Sequence, residues 1–116
     1  MKLLLILLVL VFSGCDHYDE EKLVQEHQPS TPMFDYNLTI VVSDEHQISK
    51  INNSVVSEFE QMDLKRVMTT SYVWDDQNKS YTNVFDIDVY PTFLLFGHEG
   101  VVLKTSDLTE VRRYLN

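Results

Sequence analysis

Hydrophobic and polar positions divide the chain into stretches of different period. Leu3 to Phe12 is an unbroken apolar run behind Lys2. Asp16 to Met33 shows no period: it opens on "DHYDEEK" and closes on "QPSTP", whose two prolines oppose regular structure. Between Glu21 and Gln28 only Leu23 and Val24 offer an apolar face, so no element is predicted there. From Leu38 the pattern sharpens. "NLTIVVS" is β-branched and apolar, a buried strand. Asp44 then supplies an N-cap with Gln47 three places on, and Ile48, Ile51, Val55, Phe59 and Met62 share one helical face. "KRVMTTSYVW" reads as a second strand with an ambiguous inward face, and "NKSYTNVF" as a short helix presenting Tyr81, Val84 and Phe85. "TFLLF" lacks polar alternation, which predicts burial on both faces. Gly97 to Gly100 turns into "VVLKT", and Asp107 caps a last helix with Leu108, Val111 and Leu115 inward.

The predicted order is β-α-β-α-β-β-α, an α/β domain. Its first two strands, joined through a helix, should lie parallel, its last two should form a hairpin, and helices should cover both faces of the sheet. At 116 residues the chain holds one small domain. Its composition is globular, 44% hydrophobic and 23% charged, and the formal charge of -9 disfavours a nucleic-acid partner. The single cysteine, Cys15, rules out an internal disulfide, a CxxC pair and a cysteine-based zinc cluster.

Cys15 ends the apolar run, after Ser13 and Gly14. The run is short for a membrane span and suits the core of a signal peptide. This segment resembles a bacterial lipoprotein signal, although Phe12 stands where leucine is usual. The resemblance implies cleavage after residue 14 and a diacylglyceryl thioether on Cys15, with two acyl chains as a stable anchor (palmitate is one such chain). The expected organisation is a signal peptide over 1–14, a lipidated cysteine with a flexible acidic linker over 15–33, and the folded domain over 34–116. Such a linker would reach roughly 25 Å. The expected location is the extracytoplasmic face of a cell membrane.

"VFDIDVYPTFLLFGHEGVVLK", with the predicted order, resembles the thioredoxin superfamily. The resemblance implies a thioredoxin-like fold with a four-stranded mixed sheet and a cis peptide before Pro91, followed by Thr92. It also implies a reactive site where the first strand meets the first helix. That stretch is "SDEHQIS", Ser43 to Ser49, and holds no cysteine. Thiol–disulfide exchange needs a thiolate, so the expectation is a redox-inactive, non-enzymatic domain without cofactor or metal. In redox members of the family, backbone beside the cis proline pairs with an extended substrate peptide. That mode needs only main-chain groups. Tyr90, Pro91 and Thr92, with Asp44, Glu45 and His46, are therefore the candidate surface for an envelope protein or peptide, the alternative partner being peptidoglycan in a purely structural role.

Other groups have simpler roles open to them. His46 with Asp44 and Glu45 could form a metal site or a general base, but acids at a helix start also simply favour the macrodipole. Asp75 with Asp76, and Asp86 with Asp88, lack EF-hand spacing and read as solvated loops. His17 and His27 fall in the expected linker and suggest nothing. Trp74 and Tyr90 are either packing residues or an exposed patch beside Pro91.

Overall fold

The computed structural model describes residues 20–77 and 79–116. The signal-peptide expectation and the lipidation of Cys15 fall outside the described residues. Residues 20–27 are helical (α1). There follow β1 (Tyr36–Val41), α2 (Glu45–Phe59), β2 (Val67–Val73), α3 (Tyr81–Val84), β3 (Thr92–Gly97), β4 (Gly100–Thr105) and α4 (Leu108–Leu115). The sheet order is β2-β1-β3-β4. β1 runs parallel to β2 and antiparallel to β3, and β3 to β4 is antiparallel. From β1 onward both order and orientation are those expected from the sequence.

Alternation along the central strands builds two cores. Leu38 and Ile40 of β1, then Val42, join Phe93 and Leu95 of β3 beneath Val55 of α2 and Leu108, Val111 and Leu115 of α4. Val41, Leu94 and Phe96 point the other way, toward Tyr81 of α3, Ile87 and Leu23 of α1. Every residue of β3 is buried, as a strand covered on both faces must be. The ambiguous face of β2 comes from its register irregularity: Val67 before it and Tyr72 after it both pack on the α2/α4 core, and Val73 on the other. At the β3–β4 hairpin Gly100 adopts φ 139°, a conformation that an L side chain rarely takes.

The N-terminal part of the domain differs from the expectation. A flexible linker over 15–33 is not what the described part, residues 20–33, forms. α1 packs on the sheet with Leu23 only 5% exposed, and Pro29 is also buried. Gln28 Nε2 donates to the carbonyls of Gly97 at 3.1 Å and His98 at 2.8 Å, pinning the chain after α1 to the hairpin. The physical reason is that the sheet face over Leu94 and Phe96 needs cover. One buried leucine, a histidine and side-chain hydrogen bonds provide it without a long apolar stripe. Among the described residues no helix is long and apolar enough to cross a membrane.

Candidate functional site

Val41, in the last pairs of β1, stands opposite both Val73 of β2 and Thr92 of β3. Ser43, Trp74 and Pro91 therefore leave the sheet at one end, where β1 turns into α2. Asp44 caps that helix: its Oδ1 accepts from the backbone N–H of His46 at 2.8 Å and of Gln47 at 3.2 Å. Gln47 reaches back one residue further than a capping box requires, its Oε1 accepting from the Ser43 N–H at 2.8 Å and the Ser43 hydroxyl at 3.3 Å. Glu45 stands in the first turn, favourable toward the macrodipole, and both Glu45 and His46 are exposed. Asp44 is thus a structural cap, and the junction presents carboxylate, imidazole and hydroxyl groups but no thiol. Among the described residues no three His, Cys, Asp or Glu side chains gather as metal ligands.

The Tyr90–Pro91 peptide is cis. The three residues expected to form one surface there are divided by strand parity. Tyr90 turns toward the α1/α3 core, half-buried, with its hydroxyl bonded to that of Thr82. Thr92 is 4% exposed and donates its hydroxyl to the Val89 carbonyl at 2.6 Å. Pro91 faces the opposite side. It lines a cavity of about 240 Å³ floored by Ile51, Val55 and Phe93 and rimmed by Lys50 and Asp107. Val89, two residues before Pro91, is 50% exposed; Trp74 at the end of β2 is 37% exposed and lines a separate cavity with Tyr72, Val73 and Tyr81. Of the three residues, Pro91 alone lines this mouth. The Tyr90 and Thr92 side chains hold its frame.

His27, assigned no role from sequence, anchors a buried polar cluster. Its Nε2 lies 3.0 Å from the Tyr81 hydroxyl and its Nδ1 3.2 Å from the Thr39 hydroxyl. Its ring stacks on Phe96 at 5.4 Å and meets Tyr81 edge-on at 5.5 Å. Burial holds its imidazole below the ordinary histidine range, with Glu26 opposing and Lys79 adding to the shift. Burial likewise pushes the Tyr81 phenol up. Asn37 of β1 completes the cluster, donating to the His27 carbonyl at 3.0 Å and accepting from the Thr69 N–H at 3.1 Å. The one sequence signal was that His27 lies four residues after Leu23, hence on the same helical face.

The chain is similar to thioredoxin f2 of Chlamydomonas reinhardtii. The match to that crystal structure has a TM-score of 0.56 at 15% identity and covers 84% of this chain and 90% of the other. No family model matches the sequence, and no curated protein matches it. Likeness at this identity concerns the backbone: the domain has a thioredoxin-like fold.

Proposed function

We propose that this chain is a membrane-anchored, redox-inactive thioredoxin-like module that holds an extended protein segment at the cell envelope. Cys15, the one cysteine, serves as the lipid attachment point and lies outside the domain, so the fold carries no thiolate for disulfide exchange. The observation that carries the reading is the Pro91-lined apolar cavity between α2, α4 and the start of β3. An extended segment crossing this mouth would seat one apolar side chain between α2, α4 and Pro91. Its backbone would lie against main-chain groups at the start of β3, the mode of strand addition. Lys50, Glu58 and Asp107 line the cavity with one positive and two negative side chains, Glu58 being paired with Arg112.

The test is cross-linking in intact cells with the full-length protein, beside Ser54→Trp and Pro91→Ala variants whose folding is checked by circular dichroism. Ser54 lines the cavity from the exposed side of α2, so a tryptophan there fills the space with little disturbance of the core. A partner captured by the wild type and lost from both variants supports the reading. A partner set indifferent to both removes the mouth from consideration, and undiminished binding to purified cell wall would then favour a peptidoglycan-associated spacer. Stoichiometric metal that disappears with His46→Ala would instead point to a metal-dependent role for the helix start.

A further inference from the structure

The outer side of β2 has the chemistry to pair with a second copy of itself. β2 is an edge of the sheet. The Val73 carbonyl accepts from the Val42 N–H, and the Thr69 N–H donates to the Asn37 side chain, so residues 69 and 73 direct their backbone groups toward β1. Strand alternation turns the N–H and C=O of Thr70 and Tyr72 outward, where no described strand meets them. Natural sheets blunt such edges with lysine, proline or bulges. The opposite edge, β4, carries Lys104, whose ammonium crosses to the carbonyls of Phe85 and Asp86 at 2.9 and 2.8 Å. β2, "VMTTSYV", has no charge and no proline, and its one register irregularity lies before Thr70.

The charges that flank β2 select the partner. Lys65 and Arg66 precede the strand, and Asp75 and Asp76 follow it. We infer that two copies associate antiparallel through β2 about a twofold axis at Thr70, joining their sheets edge to edge. Such pairing is isologous. It sets Thr70 opposite Thr70, an outward-facing pair, and Tyr72 opposite the register irregularity that lies between Val67 and Thr70. Beyond that irregularity the basic end of each strand, at Lys65, comes near the acidic end of the other, at Asp75. Parallel pairing in register would oppose like charges at both ends. The chain's charge of -9 resists association, but a Debye length of about 8 Å at physiological salt leaves the short-range pairs dominant. Pairing confined to one strand of seven residues makes a reversible dimer rather than an obligate one.

At an antiparallel hydrogen-bonded pair the Cα atoms lie about 5.5 Å apart, within disulfide reach. Thr70→Cys in the full chain, oxidised mildly in native membranes, should therefore yield a disulfide dimer. Its yield should exceed several-fold that of Val102→Cys, an exposed position on β4, and of wild type, which controls for Cys15. Adding Lys65→Glu to Thr70→Cys should lower the yield several-fold. Equal yields at positions 70 and 102, no dimer at either, or a Thr70→Cys dimer untouched by Lys65→Glu would each overturn the inference. So would a Thr70→Cys adduct to a different protein replacing the dimer. Circular dichroism on each purified variant establishes that the fold is intact. Ser54→Trp should leave the Thr70→Cys yield unchanged, which separates this contact from the Pro91 mouth.

Discussion

Replacing His27 by phenylalanine tests whether α1 belongs to the domain. Phenylalanine keeps the ring that stacks on Phe96 but removes both nitrogens, and with them the contacts to the Tyr81 and Thr39 hydroxyls. Thr39 is 1% exposed, so its hydroxyl loses that partner where water has little access. Each net hydrogen bond contributes about 1 kcal/mol and an orphaned buried hydroxyl costs about 1–3 kcal/mol, which puts the expected loss near 2–3 kcal/mol at pH 7.5. For a domain of this size that lowers Tm by about 10 °C or more. The pH dependence follows from the same burial. In the unfolded chain the imidazole takes up a proton near pH 6.5, and in the fold it resists protonation to lower pH. Below about pH 6.5 the unfolded state therefore binds more protons, and wild-type stability falls as pH falls, by at most about 1.4 kcal/mol per unit from this group. The phenylalanine variant lacks that term. Urea unfolding of the two proteins by circular dichroism, from pH 7.5 to 5, should show a gap that narrows with acid. A cost under about 0.5 kcal/mol, together with a gap independent of pH, would refute the reasoning: α1 would then be no part of the cooperative unit.

Two further substitutions probe the frame. Asn37→Ala removes the side chain that satisfies the His27 carbonyl and the Thr69 N–H at the β1–β2 irregularity. We expect a loss of about 2–4 kcal/mol in urea unfolding, and a loss no larger than an exposed alanine substitution causes would show that water replaces both bonds. Gly100→Ala meets no atom within 4 Å, so its cost isolates the backbone at φ 139°; a Tm drop corresponding to about 1 kcal/mol or more is expected, and an unchanged Tm would contradict that hairpin geometry.

How much of the fold was legible depended on how local the deciding interactions were. Asp44 and Asp107 cap helices because a short acidic side chain reaches N–H groups two or three residues on, wherever the helix later packs. Ile48, Ile51, Val55 and Phe59 face one core because helical period alone puts them on one side, while Met62, beyond the end of α2 at Phe59, reaches the same core from the turn that follows. "TFLLF" announced a doubly covered strand by having no polar alternation. The candidate site was read only in part. The family resemblance points to Pro91 and implies the cis bond that the structure contains, but it groups Tyr90 and Thr92 with Pro91 as one surface. Strand alternation, once β3 is paired, sends their side chains to the face opposite Pro91.

The sequence by itself determined the elements from β1 onward, their caps, the hairpin glycine and the lack of a thiol at the β1–α2 junction, because each is a matter of residue type at short range. Only the tertiary structure decided what α1 does. Its one leucine and one histidine make a weak period, and their stabilisation comes from Thr39, Tyr81 and Phe96, which the chain brings to His27 from 12 to 69 residues away. The same holds for the open side of β2. Whether a strand is central or an edge depends on which strands pair with it, and hydrophobic period carries no information about that.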